Sequence, residues 1–221
     1  MGKGSAESFF SQQEQQRIRD AVAEVEAQSR GEIVPVVIGS AAEYRYTVAL
    51  ASGLLSLTLL ALLLWGLTPW LEMESYAHHL FWQLPALFLL FFLLLQFSIH
   101  RLPSLKRLLI PRQESKERVA EKALTLFTWH GLHKTRDHTG ILILISLFER
   151  QVEVLADAGI HAKVDAGEWQ RVVDEIVSGL HSGQACDALC RAIGHCQQLL
   201  ADHFPHQGED SNELPDLILH S

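Results

Sequence analysis

The chain has 221 residues, of which 48% are apolar and 20% are charged. This length and composition fit one folded domain with an appendage, and they exclude a disordered low-complexity chain. The formal net charge of −8, from 26 acidic and 18 basic residues, argues against a nucleic-acid-binding protein, because such a protein needs a basic surface for the phosphates.

The first soluble segment predicts a helix followed by a strand. We expect the helix over residues 11–28, because Ser11 and Glu14 have the spacing of a capping box, in which each side chain binds a backbone N–H at the helix start. Residues 32–38 are short and rich in β-branched side chains, which is typical of a strand. Pro35 has no N–H to donate to a ladder, so it favours an edge position or a bulge.

Two uncharged apolar runs follow. Residues 46–71 and 80–99 contain no charged side chain. Each run reaches the roughly 20 residues that a helix needs to cross a bilayer. We therefore predict a two-helix transmembrane hairpin over 46–100, with spans of about 47–71 and 80–99. Because the spans carry no charge, they offer no ion or proton path, and the hairpin is interpreted as an anchor.

The basic residues beside the apolar runs predict the orientation of the hairpin. Lys and Arg accumulate on the cytoplasmic side of membrane spans, and the connection 72–79 has none. The basic residues all lie on the outer flanks, at Arg30, Arg45, Arg101, Lys106, Arg107 and Arg112. We therefore expect both termini and the soluble part in the cytoplasm, with residues 72–79 outside.

The segment after the hairpin predicts further elements of an α/β domain. Residues 114–130 have a helical apolar repeat, and the uninterrupted apolar run 141–145 indicates a strand buried on both faces. Residues 151–156 alternate in part, which favours the paired strand of a β-hairpin. Two amphipathic helices follow, and the residues after 204 form a polar, acidic tail.

These elements predict one domain that the hairpin interrupts. Only a helix and a strand precede the hairpin, which is too little to fold alone. We therefore expect residues 1–45 and 101–204 to form one α/β domain, with the hairpin 46–100 inserted and the tail 205–221 outside it. Because the 141–145 strand is apolar throughout, helices are expected on both faces of the small sheet.

Several of these segments resemble the TPM domain family. The matching motifs are Ser29–Ile33 at the first strand, Trp129–Gly131 at a helix end, and the block Thr139–Ser146, Glu149–Val154 and Asp157–Ile160. The resemblance implies an α/β/α sandwich with a small mixed sheet. The family includes a member associated with thylakoid membranes and photosystem repair, and it has been credited with weak acid phosphatase activity and divalent-cation binding. Many members are bacterial, so we expect the hairpin in a bacterial inner membrane.

The best polar group for chemistry is predicted around the turn before residue 151 and the strand end after it. Carboxylates at strand ends can hold a hard cation, so Glu149, Asp157 and Asp165 are candidate ligands for Ca²⁺ or Mg²⁺. Arg150 is the candidate catalytic residue, because its guanidinium binds phosphate oxygens. In the alternative, Glu149 and Arg150 form an exposed hairpin turn and Asp165 caps the next helix. Glu32 is a weaker addition to the cluster.

A group of histidines lies between the predicted 114–130 helix and the apolar strand. His130, His133 and His138, with Asp137 between them, would suggest a transition-metal site. Their spacing across a helix end matches no established zinc pattern. A solvated loop is therefore the favoured interpretation.

The three cysteines all lie near the end of the chain. Cys186, Cys190 and Cys196 are not a disulfide framework, and they fit a reducing compartment. With His195 they have the ligand types of a zinc site, but one straight helix cannot wrap three thiolates around one ion. Cys186 and Cys190 also fall on the apolar stripe of their helix, which favours packed thiols.

Two functions remain open at this level. The first is a membrane-anchored module for interaction, assembly or quality control of other membrane proteins, with the lipid bilayer and those proteins as partners and no role for nucleic acid. The second is a weak metal-dependent acid phosphatase. The sequence has no nucleophile elbow, phosphate-binding loop or zinc-protease motif, and family resemblance alone is weak support for a reaction, so the first is favoured.

Overall fold

The computed structural model describes residues 6–29, 31–67, 73–135, 138–204 and 216–220. The helices are α1 (Gln12–Gln28), α2 (Arg45–Leu67), α3 (Met73–Arg101), α4 (Pro103–Leu109), α5 (Arg112–Trp129), α6 (Ala158–His161), α7 (Ala166–Ser182) and α8 (Ala185–His203). The strands are β1 (Glu32–Ile38), β2 (Gly140–Ser146), β3 (Gln151–Ala156) and β4 (Ile218–His220). The chain divides into two compact units, one of residues 1–42 and 116–221 and the other of residues 43–115.

The first unit contains one mixed sheet with the strand order β3-β2-β1-β4 among the described residues. β1 and β2 pair in parallel from Glu32 opposite Gly140 to Ile38 opposite Ser146. β2 and β3 pair antiparallel as a hairpin, and β4 pairs in parallel with the end of β1. Strands from before and after the two long apolar helices therefore share one sheet, and the predicted α/β fold with a mixed sheet is confirmed.

Both faces of the sheet are covered because β1 and β2 present apolar side chains to each face. Successive residues of a strand point to opposite sides, so each strand supplies both cores. On one face β1 and β2 pack with apolar residues of α1, α7 and α8, such as Ile18, Ile176 and Leu189. On the other face they pack with α5, through Val119, Ala123, Leu126 and Phe127. Burial of this kind is the main favourable contribution to folding.

The predicted start of α1 is confirmed in its details. The N–H of Ser11 donates to Glu14 Oε2 at 2.8 Å, and the N–H of Glu14 donates to Ser11 Oγ at 3.3 Å. These reciprocal bonds form the capping box, which satisfies two backbone donors that an uncapped helix would leave unpaired. The Ser11 hydroxyl, at 2.7 Å, and the Ser11 N–H both donate to the Glu14 carboxylate and lower the pKa of that carboxyl.

The position of β1 in the sheet differs from the expectation for an edge strand. β1 lies between β2 and β4, so the edge position that Pro35 suggested is wrong over Val36–Ile38. Pro35 itself precedes the residues that pair with β4, which explains how the sheet tolerates a residue without an N–H. No element is expected in the polar, acidic tail, yet Ile218–His220 form β4. Residues 205–215 lie outside the described residues.

The second unit contains α2, α3 and α4. α2 and α3 are long and apolar enough to cross a membrane by length and composition, over Arg45–Gly66 and Gln83–Arg101. Ser52 and Ser56 of α2 are buried, and the Ser52 hydroxyl contacts Gln96 Oε1 of α3 at 3.2 Å. A polar contact between two apolar helices fixes how their faces meet. The predicted connection 72–79 is wrong over residues 73–79, because α3 already begins at Met73. Residues 68–72 and Arg30 lie outside the described residues.

Candidate functional site

Glu149, a predicted metal ligand, is buried in the turn between β2 and β3. Its Oε1 accepts hydrogen bonds from the Ser40 hydroxyl and the Ala41 N–H, each at 3.0 Å. Its Oε2 accepts a hydrogen bond from the Ser146 hydroxyl. The donors belong to the loop after β1 and to the end of β2, so this carboxylate fastens the turn to the sheet. The alternative of an exposed turn is therefore wrong for Glu149, because three hydrogen-bond donors stabilise its carboxylate in a buried position.

Asp157 and Asp165 cap the two helices that follow β3. Asp157 Oδ1 accepts from the Ala158 N–H at 2.6 Å, and its Oδ2 lies 3.2 Å from Nδ1 of His138. Asp165 Oδ1 accepts from the Gly167 N–H at 2.9 Å at the start of α7. Both aspartates therefore satisfy backbone donors at helix starts. The capping role of Asp165 that the sequence offered as an alternative is confirmed.

The structure does not bring the predicted ligands together. The β2–β3 hairpin turns at Glu149, whereas Asp157 follows the far end of β3, beyond the pair Ile141–Ala156. Six strand residues separate those ends by roughly 20 Å at about 3.3 Å per residue. A Ca²⁺ ion needs its oxygen ligands within about 2.6 Å. Among the described residues no three His, Cys, Asp or Glu side chains are placed to hold a metal, so this donor set does not fit one ion.

The histidines likewise form no metal site within the described part of the chain. His130 and His133 are half-buried at the end of α5, and His138 lies beside Asp157. Asp137, which the sequence placed among them, lies outside the described residues. In place of the predicted solvated loop, Leu132–Lys134 form a short 3₁₀ turn in which His133 is half-buried.

The three cysteines pack in the core as expected. Cys186 and Cys196 are buried on α8, and Cys190 is half-buried one turn after Cys186. Burial raises the pKa of the Cys186 thiol to about 11 and that of Cys196 to about 12. Such thiols stay protonated at neutral pH, and a protonated thiol is neither a nucleophile nor a metal ligand.

Arg150 lies beside a surface groove that the sequence did not predict. This groove, which we call the β3 groove, has a volume of about 540 Å³. It runs along β3 between α5 and α7. Its lining includes Lys116 and Ala120 of α5, Arg150 and Glu153 along the β3 segment, and Val173 and Asp174 of α7. Arg150 is exposed and has a positive φ of 55°, as expected at a tight hairpin turn.

Glu153 is the unusual side chain of the β3 groove. It lies opposite Leu144, which belongs to the core on the α5 side of the sheet, so Glu153 is on that face. The side chain is half-buried, and burial raises the pKa of its carboxyl. No nearby charge contributes to this shift, although Lys116 and Arg150 line the same groove. A partly dehydrated carboxylate without a compensating cation is costly to keep ionised.

β3 also has a free backbone edge. It is the outermost strand of the sheet, and among the described residues β2 is the one strand that pairs with it. An outer strand presents unpaired N–H and C=O groups that another extended chain can bind. The β3 groove therefore combines a strand edge with an isolated carboxylate. The sequence signal for it is the single charge at Glu153 within an otherwise uncharged strand.

A second acidic group lies at the other side of the sheet. Glu26 of α1 lies beside Glu32 of β1 and near Asp216 before β4. Burial, the charges of Glu32 and Asp216, and a hydrogen bond with Glu32 raise the pKa of Glu26 to about 8. Glu26 is therefore largely protonated at neutral pH, which lets the two carboxyl groups share a proton. Glu32, the weaker candidate ligand, belongs to this pair rather than to the turn around Glu149.

The chain is similar to a known protein family and to a solved structure. The family described as TPM_phosphatase, TPM domain, matches residues 96–199, just under half of the chain. The solved structure of BA42 protein from the psychrophilic bacterium Bizionia argentinensis has a TM-score of 0.57 with 17% identity, and the match covers 96% of each chain. At that identity the likeness concerns the fold. No curated protein matches.

These comparisons agree with the motifs that carried the resemblance. The family match contains β2, β3 and the helices around them, and it begins after β1. β1 joins the same sheet through its pairing with β2. Over residues 96–199 the chain is similar to the TPM domain family.

Proposed function

We propose that this protein is a membrane-anchored cytoplasmic module that binds other membrane proteins during their assembly or quality control. Its anchor is the α2–α3 hairpin, which we assign to a bacterial inner membrane. The observation that carries the proposal is the exposure of these two apolar helices.

The apolar helices have the surface of membrane spans rather than of core helices. The apolar segments of α2 and α3 have mean hydropathies of 2.2 and 1.7, yet only 17% and 6% of their residues are buried. Leu50, Trp65 and Phe97 are 69%, 76% and 60% exposed. A soluble protein rarely exposes such a continuous apolar surface, because it would drive aggregation. Lipid chains remove this surface from water and so explain why it lacks protein neighbours.

The charge distribution supports a cytoplasmic soluble part. Arg101, Lys106, Arg107 and Arg112 directly follow the second apolar helix, and residues 72–79 contain no Lys or Arg. Cytoplasmic flanks of membrane spans carry this excess of basic residues.

The test is the topology of the full chain in intact cells. Cys186, Cys190 and Cys196 are replaced by alanine, and a single cysteine is introduced by Ser75→Cys or, as the matched control, by Ser5→Cys. The Ser75→Cys protein should react with an impermeant maleimide added outside, and the Ser5→Cys protein should react only after the cells are opened. Labelling of both before opening, or of Ser5→Cys alone, contradicts the proposal.

Phosphomonoester hydrolysis is a second candidate because the matching family carries the word phosphatase in its description. Its predicted residues separate in the fold, with Glu149 and Arg150 at the turn and Asp157 at the other end of β3. Turnover of p-nitrophenyl phosphate by the detergent-purified chain, with and without Mg²⁺ or Ca²⁺, tests this candidate. Loss of any turnover in Arg150→Ala, with the fold retained, would support it.

A further inference from the structure

We propose that the β3 groove binds an extended basic segment of a partner protein, which adds as a strand to the edge of β3 and places a Lys or Arg beside Glu153. This inference rests on the proposed function, and it specifies where the partner binds and what chemistry it presents. Three observations on the groove carry it, namely the strand edge, the walls and the charge.

The strand edge supplies the backbone contacts. β3 pairs with β2 along its whole length, from Ser146 opposite Gln151 to Ile141 opposite Ala156. Its other side has no strand among the described residues. Half of the backbone groups of an edge strand point away from its neighbour, so about three N–H and three C=O groups of β3 point away from β2. Peptides bind such edges by continuing the ladder.

The walls of the groove supply side-chain contacts on both faces of an added strand. Ala120 lies on the α5 side, and Val173 and Val177 lie on the α7 side. An added strand would point alternate side chains to these two walls, because successive residues of a strand face opposite ways. The volume of about 540 Å³ holds several side chains.

The charge in the groove selects a basic partner. Glu153 is half-buried, and its pKa is raised by burial without help from any neighbouring charge. A cation brought beside it would restore the electrostatic stabilisation that dehydration removes. Lys116 and Arg150 are exposed, and neither contributes to the pKa of Glu153. The groove is also lined by more acidic than basic side chains, namely Glu117, Glu153 and Asp174 against Lys116 and Arg150. A basic occupant would balance this charge.

A membrane protein partner offers such an occupant. Cytoplasmic segments next to membrane spans are enriched in Lys and Arg. A second copy of this chain is a poorer occupant, because edge-to-edge pairing would bring a second Glu153 into the groove, and its nearest cation would be Arg150 of the exposed turn. We therefore assign the groove to a heterologous basic segment.

The experiment uses the full chain in lipid nanodiscs and a fluorescein-labelled heptapeptide of alternating threonine and valine with a central lysine. Fluorescence anisotropy measures binding to the wild type, to Glu153→Gln and to the control Glu24→Gln, which changes an exposed glutamate of α1. Two further peptides replace the lysine by norleucine or carry N-methyl groups on alternate backbone nitrogens. Melting curves of the variants check that the fold is retained.

We expect Glu153→Gln and the norleucine peptide each to weaken binding by about tenfold, and the two changes together to weaken it no further. Such non-additivity identifies the lysine as the partner of Glu153. The N-methyl peptide should not bind, because it lacks the N–H groups that continue the ladder. Glu24→Gln should bind like the wild type.

Other results overturn the proposal. Equal affinity for the lysine and norleucine peptides would contradict the charge pair with Glu153. Binding of the N-methyl peptide would contradict the addition of a strand to β3. Absence of binding, or a dimer of the wild type that Val154→Pro dissociates, assigns the edge to another use. Each of these outcomes leaves the maleimide labelling at Ser75 unchanged, so failure of the groove is distinguishable from failure of the membrane anchor.

Discussion

The β2–β3 hairpin has one glutamate in its turn and one in its second strand, and the two carboxylates differ in their hydrogen-bond partners. Glu149 in the turn receives hydrogen bonds from Ser40, Ala41 and Ser146. Glu153 in β3 is half-buried, and its pKa is raised by burial alone. A buried carboxylate with its own donors is part of the structure, whereas one without a compensating charge can respond to a partner. The sequence spacing had pointed to Glu149, and the contacts point to Glu153.

The largest effect should come from removing the satisfied carboxylate. Glu149→Ala removes the acceptor of the part-buried Ala41 N–H and of the buried Ser146 hydroxyl, whereas the Ser40 hydroxyl keeps the Ala42 carbonyl as an acceptor. We therefore expect a loss of roughly 2–4 kcal/mol in the free energy of unfolding. Glu153→Ala removes no hydrogen bond of this kind and should change stability by less than about 0.5 kcal/mol. Urea unfolding followed by tryptophan fluorescence measures both variants. Equal losses of stability in the two variants would contradict the claim that Glu149 stabilises the fold and Glu153 does not.

A third glutamate extends the comparison to like charges. The pKa of Glu26 is raised to about 8, first by burial and then by Glu32 and Asp216. The folded state therefore holds a proton that the unfolded state releases at about pH 4.5. Stability from this group is present below that pH and is lost as the pH rises to about 8.

Glu26→Gln should remove this pH dependence. After allowance for solvent screening of a half-exposed group, we expect the wild type to lose roughly 1 kcal/mol between pH 5 and 8 and the variant to lose less. Melting temperatures across that range provide the measurement, with Glu24→Gln as the exposed control on the same helix. A variant that loses stability as steeply as the wild type would assign the pH dependence to other groups.

The sequence predicted the fold better than the site because local patterns encode elements but not distances between them. The capping box at Ser11 and the apolar run 141–145 each determine a local structure, and both are confirmed. The ligand set failed because Glu149 and Asp157 are eight residues apart in sequence and lie at opposite ends of a hairpin. β4 was missed because three residues are too short to show a period, and they form a strand only where β1 offers an edge.

The smallest effect is expected for divalent cations, and it tests the rejected ligand set directly. If Glu149, Asp157 and Asp165 held one ion, that ion would stabilise the fold by about 2.7 kcal/mol at a hundredfold excess over its dissociation constant. The turn and the strand end are too far apart for this, so millimolar Ca²⁺ or Mg²⁺ should leave the melting temperature of the full chain unchanged. Asp157→Asn serves as the matched variant, because an amide at Asp157 keeps an oxygen for the Ala158 N–H and loses the charge that a hard cation requires. A rise in melting temperature that is present in the wild type and absent in Asp157→Asn would show that the carboxylates meet after all. In that case the Glu149 carboxylate would be a metal ligand, and its hydrogen bonds would no longer explain how it differs from Glu153.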